Sequence, residues 1–334
     1  MHQPAEIPIF DKALAPIRVL NVGRRLSVAT ARKFGPKAHD FLGRVTSAPA
    51  AALRIADKIA RRWLAERNSP YLAELDELAA LSRRPGVYYM NINYEWGCTT
   101  AAKVSDHGKS AVLQRALDWN VSGLGEYLVA ARVYSRRGTW IALTWPGFSG
   151  VVQATAPGRF AAAINQPPRR RVTGIGPIDR AIALRAVWKS RDEQPVHLLR
   201  RVFDEAPDFV AAVKLLTETP ICCPAIFTIA GTLPDERLVI ERQENASVII
   251  AGPACATNHW QRNEGHSQSY PAFKSEDRLK QISESFGEAF TWLSWPILND
   301  ETRLAMVADP ASGRLLAQGY ESYGPATAIL DRTF

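Results

Sequence analysis

The residues best equipped for chemistry in this 334-residue chain are a cysteine ahead of two threonines, Gly97-Cys98-Thr99-Thr100, and an arginine and aspartate downstream, Arg115-Ala116-Leu117-Asp118. Scission of the Gly97-Cys98 bond would put a thiol and a free α-amine on one residue. Such an amine titrates near pH ~8 and can take the thiol proton, so the nucleophile would carry its own base. Amide hydrolysis also needs a proton carrier for the leaving nitrogen and donors for the oxyanion. Cys98 with its liberated amine would supply the nucleophile and the carrier.

The elements that must position these residues can be read from period and turn signals. Short apolar runs after Gly86 predict strands at 87–92, 111–117, 127–133, 139–145 and 160–165. Ser105-Asp106-His107-Gly108 reads as the turn of a hairpin that returns Arg115 and Asp118 towards Cys98. Residues from about Ile17 to Arg84 read as helical, with an apolar stripe Leu53, Ala56, Ile59, Ala60, Trp63, Leu64 opposite Arg54, Lys58, Arg61 and Arg62. Helical period returns between Pro177 and Thr219, and strands resume at 225–230, 237–242 and 246–251. A last hairpin turns at Pro310-Ala311-Ser312-Gly313. Strands, then helices, then strands suit an α+β fold of antiparallel sheets covered by helices.

The motif set resembles acid ceramidase and N-acylethanolamine acid amidase, and more broadly the choloylglycine hydrolase group of N-terminal-nucleophile cysteine amidases. The resemblance rests on Tyr94-Glu95 ahead of Cys98, then Arg115-Ala116-Leu117-Asp118, Trp145-Pro146-Gly147 leading to Ala163-Ile164-Asn165, and Ala256-Thr257-Asn258-His259-Trp260 leading to Arg278. It runs from about Val87 to about Lys280. The resemblance implies a four-layer αββα sandwich with an N-terminal helical segment: residues 1–97 as α subunit or propeptide, and 98–334 as the catalytic domain. It also implies self-cleavage at Gly97-Cys98; the two fragments are expected to stay associated because 88–92 reads as a strand whose neighbours lie in the larger fragment. Of the site residues it makes Cys98 the nucleophile and Arg115 the cation beside the thiol. Asp118 orients the α-amine, Asn258 faces the tetrahedral oxygen with its side-chain amide, the Asn165 backbone N–H completes the hole, and Arg278 braces the site. Asn165 is a departure, since the animal lipid amidases have an acidic residue there and bile-salt-type enzymes have Asn or Tyr. Trp145 and Phe148 are placed in an acyl pocket.

Composition narrows the rest. Hydrophobic residues make up 46% and charged residues 22% of the chain, proportions of a soluble globular protein. A net charge of +8 is spread over scattered arginine pairs, not concentrated on one aromatic-studded face, which argues against nucleic acid and leaves contact with anionic membrane open. Four cysteines are too few and too irregular for a disulfide framework or a zinc site, and Gly174-Ile175-Gly176-Pro177 lacks the later glycine of a dinucleotide fingerprint. No metal or organic cofactor is expected. The first residues show no charged region ahead of an apolar core, so the expected location is the cytoplasm. The expected activity is cleavage of the linear amide of an N-acyl amine, fatty-acyl or ceramide-like, through a Cys98 thioester. Acyl transfer, bile-salt or penicillin amide cleavage, and a non-catalytic lipid-amide binder are the alternatives.

Overall fold

The structure is a computed structural model, and it describes residues 14–46, 48–92, 96–252, 254–262, 272–285, 287 and 289–334. Tyr94-Glu95 and much of the polar stretch after Asn258 therefore lie outside the described residues.

Two sheets face each other. One is eight-stranded, in the order β1 (Arg18–Asn21), β4 (Val129–Ser135), β5 (Gly138–Thr144), β6 (Gln153–Ala156), β7 (Phe160–Asn165), β8 (Ala225–Gly231), β9 (Arg237–Arg242), β10 (Ser247–Ala251). The other runs β11 (Ala254–Ala256), β2 (Gly97–Val104), β3 (Ala111–Asp118), β12 (Thr302–Asp309), β13 (Arg314–Glu321), β14 (Gly324–Pro325), with β15 (Leu330–Thr333) also paired to β13. The inner strands β2, β3, β7 and β8 pack face to face. Nearly every side chain of β3, β7 and β8 is buried, which is why those strands read as continuous apolar runs and not as alternating ones. Helices α7 (Pro195–Glu205) and α8 (Phe209–Glu218) cover the outer face of the first sheet, and α9 (Ser275–Glu284) packs on β2 and β11 of the second. The layers are thus αββα, as expected.

Two expectations need correction. The segment from Ile17 does not begin as helix: Arg18–Asn21 forms β1 and pairs in parallel with β4, so upstream chain completes the edge of the first sheet. Residues 87–92 are not a strand. Val87–Met90 forms one helical turn, α5, after Gly86, whose φ of 104° few other residues adopt. The Asp57 carboxylate fixes that turn by accepting the backbone N–H groups of Gly86, Tyr88 and Tyr89 at 2.6–3.0 Å. Among the described residues four more helices precede it: α1 (Leu26–Phe34), α2 (Pro36–Val45), α3 (Ala50–Glu66) and α4 (Leu72–Ser82). Helix α3 buries Leu53, Ala60, Trp63 and Leu64 as the stripe predicts, but Ile59 is 50% exposed.

A buried polar clamp joins this upstream part to the sandwich. Arg200 of α7 donates to Glu74 of α4 at 2.8 Å, to the Arg24 carbonyl at 2.6 Å and to the Ser149 carbonyl at 2.8 Å. Glu74 in turn accepts the Ser27 N–H and hydroxyl at 2.6 and 2.7 Å. Beside them Ser149 shares a 2.9 Å hydrogen bond with His197, whose pKa burial drives down to about 3, so the ring is neutral. Removing one partner of a buried pair strands the other charge. We therefore expect Glu74→Ala to lower the unfolding free energy by about 3–5 kcal/mol, and Glu74→Leu combined with Arg200→Leu to recover much of it. Urea unfolding of the three proteins measures this, and equal stability of Glu74→Ala and wild type would refute it.

Candidate active site

The hairpin register decides how the predicted residues meet. Strands β2 and β3 pair with Cys98 opposite Leu117, Thr100 opposite Arg115 and Gly97 opposite Asp118. Directly opposed residues share a face and successive residues alternate, so Cys98, Thr100 and Arg115 lie on one face of the sheet and Gly97, Thr99 and Asp118 on the other. Arg115 and Asp118, three residues apart on one strand, approach Cys98 from opposite sides. Both are buried.

On the inner face, the Cys98 thiol points at the first sheet, 3.6 Å from the Ile164 carbonyl of β7. Arg115 donates to Asn165 Oδ1 at 2.7 Å, and the Asn165 amide nitrogen lies within 3.0–3.1 Å of Thr100 Oγ1 and the Ala256 and Thr257 carbonyls. The Asn165 side chain is thus fully used in holding Arg115. Nε and the second terminal nitrogen of Arg115 make no hydrogen bond among the described residues, so a buried cation beside the thiol has a neutral amide as its bonded partner.

On the outer face, Asp118 accepts from Thr302 at 2.9 Å and lies 3.5 Å from Arg278. A Cβ on Gly97 would sit 3.1 Å from the Asp118 Cβ and 3.3 Å from its Oδ2, so the small residue allows the carboxylate to approach the bond before Cys98. Arg278, in the first turns of α9, spans the group. It donates to the Cys98 carbonyl at 2.7 Å, Thr99 Oγ1 at 3.0 Å, Asn258 Oδ1 at 2.9 Å and the Phe273 carbonyl at 3.0 Å.

Asn258 stands differently from the expectation. Its Oδ1 accepts the Cys98 backbone N–H at 2.7 Å, while its amide nitrogen donates to the Gln166 carbonyl at 2.7 Å. With two donors at the oxygen and an acceptor at the nitrogen, the amide cannot be flipped. In the uncleaved chain the oxygen, not the amide group, faces Cys98. The segment is anchored from behind, where Ser275 Oγ takes the Asn258 N–H at 2.9 Å and meets His259 Nδ1 at 2.8 Å. Ser275 and His259 position Asn258 without touching Cys98, and no sequence signal marked Ser275.

Burial governs the electrostatics. It pushes the Cys98 thiol up to about 11, and nearby Asp118 adds to the rise against the lowering pull of Arg115, the Gln166 backbone and Arg278. At neutral pH the thiol is protonated. Burial likewise raises the Asp118 carboxyl despite Arg278, Thr302, Asn299 and Arg115.

Trp145 and Phe148 line a cavity of about 280 Å³. Trp119, next to Asp118, is its near wall and packs on Trp96 at 5.4 Å and Trp145 at 5.6 Å between ring centroids, so aromatic rings run from the residues beside Cys98 into the cavity. Phe41, Val45, Tyr89 and Met90, from upstream of Gly97, also line it. Both sides of the Gly97-Cys98 bond therefore build it.

Acid ceramidase of Pan troglodytes is 23% identical over 295 residues, covering 78% of this chain and 73% of that protein, and the Homo sapiens protein gives the same figures. The chain resembles acid ceramidase over most of its length. The likeness to acid ceramidase read from the sequence is borne out. No family model matches the chain. Among solved structures, the Caenorhabditis elegans ortholog of N-acylethanolamine-hydrolyzing acid amidase aligns with a TM-score of 0.49 at 17% identity, covering 64% of this chain and 92% of that one. A mutant of conjugated bile acid hydrolase from Clostridium perfringens aligns at 0.39 and 10%, covering 71% and 97%.

The buried Asp118–Arg278 pair has a pH signature. A carboxyl whose folded pKa is raised contributes stability that is present below its unfolded value and lost as pH rises through the folded one. Arg278→Leu raises the folded value further. Its cost is therefore expected to be smallest below pH ~4 and to reach about 3–5 kcal/mol at neutral pH. Urea unfolding across that range checks it; a cost independent of pH would dissociate Arg278 from Asp118.

Proposed function

We propose that the chain is an N-terminal-nucleophile cysteine amidase that splits itself at Gly97-Cys98 and then hydrolyses the linear amide of an N-acyl amine. The observation that carries this reading is the 2.7 Å hydrogen bond from the Cys98 N–H to Asn258, inside the ring closed by Arg278 and Asp118. A main-chain nitrogen held so closely in a buried site is the atom that scission would turn into an α-amine.

In the first stage the Cys98 sulfur attacks the Gly97 carbonyl carbon, the thiol proton passes to the Cys98 nitrogen as the C–N bond breaks, and water hydrolyses the resulting thioester. One water is consumed, leaving a Gly97 carboxylate and a free Cys98 amine. Asn258 Oδ1 and Asp118 then hold that amine, which takes the thiol proton. In the second stage the thiolate attacks the substrate carbonyl, and the α-ammonium protonates the leaving nitrogen. The second N–H of the Asn258 amide and the Asn165 backbone are the proposed oxyanion donors. Water then releases the acyl group, or an amine takes it if the enzyme is an acyltransferase. An apolar cavity lined by Trp145 and Phe148 supports a medium or long acyl chain over a steroid or β-lactam amide. Fragments 1–97 and 98–334 are expected to stay joined by β1 and the Arg200–Glu74 clamp, and not by a strand at 88–92.

A peripheral membrane contact is a second proposal. Helix α3 presents Ile55 with Arg54 and Lys58 outward, and α6 (Gly176–Lys189) buries only Asp179. Among the described residues no helix is long and apolar enough to cross a membrane. We keep the cytoplasm as the proposed location. Co-sedimentation with phosphatidylglycerol-containing but not pure phosphatidylcholine vesicles is the expected behaviour, and absence of binding to both ends this proposal.

Intact-mass analysis of freshly purified protein at neutral and acidic pH tests the main reading. Wild type is expected to give two associated fragments separating at Gly97-Cys98, and Cys98→Ala one chain. Scission of Cys98→Ala at that bond would remove self-processing, and an unsplit, inactive wild type would favour the non-catalytic lipid-amide binder.

A further inference from the structure

Away from Cys98 the chain carries a second set of nucleophilic side chains, the adjacent pair Cys222-Cys223 between Pro220 and Pro224. On an extended chain successive side chains point to opposite faces, which would hold two neighbouring thiols apart. Here the backbone bends at both residues, and the two sulfurs lie 4.0 Å from each other. The bend is pinned from outside. The Ile221 N–H bonds the Glu244 carbonyl at 3.1 Å and the Cys222 N–H bonds the Glu193 carbonyl at 2.9 Å, while the Glu193 carboxylate is held by Arg201 of α7 at 2.9 Å. Cys98, Cys222 and Cys255 are buried but Cys223 is only half-buried, so it is the thiol that a small solute meets first. A cation stands beside the pair. Arg67, following α3, stacks on Trp63 at 4.0 Å and donates to the Trp63 and Trp188 carbonyls at 2.8 and 2.9 Å, while its Nε makes no hydrogen bond among the described residues. The neighbouring thiol and burial push Cys222 up, Asp192 adds to the rise, and Arg67 pulls the other way. Reactive thiols are found in such partly exposed places next to a positive charge.

We infer that Cys222 and Cys223 form a redox-active dithiol, which a hydroperoxide closes to a disulfide between adjacent residues. The Cys223 sulfur takes one oxygen from hydrogen peroxide, giving a sulfenic acid and water. The Cys222 sulfur then attacks the Cys223 sulfur, the S–S bond forms, and a second water leaves. Two thiols give up two protons and two electrons, and the peroxide is reduced to two waters. The sulfurs close from 4.0 Å to ~2.05 Å. Adjacent Cα atoms lie ~3.8 Å apart across a trans peptide, below the ~4.4–6.8 Å usual for a disulfide, so the ring is strained and a mild thiol such as glutathione reopens it. The inference goes beyond the amidase reading and does not depend on it.

The test uses the full-length Cys98→Ala protein, which keeps three of the four thiols and removes the one assigned to the amidase. After brief exposure to a small excess of hydrogen peroxide, the chain is denatured in maleimide and its peptides are mapped by mass. Two of the three thiols are expected to escape alkylation, with the peptide spanning Cys222-Cys223 lighter by two hydrogens, and reduced glutathione should restore both. Phenylarsine oxide, which bridges two neighbouring thiols with loss of water, should add once per chain and block the oxidation. Cys223→Ser should lose both the disulfide and the arsenical adduct, and Arg67→Gln should slow closure severalfold by removing the cation. The deciding reading is taken with both cysteines in place, so it does not turn on how a variant folds. Three alkylated thiols after peroxide, oxidation that stops at Cys223 while Cys222 remains a thiol, or a disulfide joining two chains through Cys223 overturns the inference.

Discussion

The placement of one buried guanidinium holds the site together. Arg278 is 1% exposed, and burial lowers its pKa, with Asp118 opposing that loss. A cation out of water is tolerable only when its donors are matched, and here four acceptors from three separate stretches of chain converge on one planar group: the Cys98 carbonyl, Thr99 Oγ1, Asn258 Oδ1 and the Phe273 carbonyl. A lysine could not occupy the same place, since its three donors radiate from a single atom. The rest of α9 serves this placement. Ser275 ties the first turn to Thr257 and Asn258, and at the far end the Lys103 ammonium, from the strand that carries Cys98, bonds the Ile282 and Ser285 carbonyls.

The second constraint is the alternation of a strand. Because Arg115 and Asp118 differ by an odd number of positions, β3 delivers a cation to the thiol side of Cys98 and a carboxylate to its main-chain side. The two charges thus act on different atoms of one residue. Asn165 completes the inner side: as a neutral acceptor it orients Arg115 without cancelling its charge, which an acidic residue at that position would do. The departure at Asn165 thus has a definite electrostatic sense.

How much of this could be read from the chain follows from the range of the interactions. The hairpin around Ser105–Gly108, the strands β3, β7, β8 and β9, and the helices α7 and α8 are set by local period and turn residues, and they stand where the pattern puts them. Where a partner far along the chain decides, the pattern fails. Val87-Tyr88-Tyr89-Met90 is too short for period to separate strand from helix, and Asp57, thirty-odd positions upstream, supplies the acceptor that coils it. Arg18–Asn21 is a strand only because β4 lies beside it. The same limit applies in the site. Residue types and order pointed to Cys98, Arg115, Asp118, Asn258 and Arg278, but not to which end of the Asn258 amide faces Cys98, nor to Ser275 behind it.

In the uncleaved chain several interactions hold Cys98 quiescent. Burial holds the Cys98 thiol near 11, Asn258 and Arg278 occupy the N–H and carbonyl of the same residue, and residues from both upstream and downstream of Gly97-Cys98 line the cavity. A thiol so protonated is a poor nucleophile towards a substrate, and in the amidase proposed above its base would be the nitrogen that Asn258 already holds, once freed. Scission would convert that nitrogen from a peptide N–H into an amine without moving its partners. In that scheme the peptide nitrogen of the uncleaved chain and the base of the cleaved one would be the same atom in two covalent states, and the surrounding polar groups would suit both.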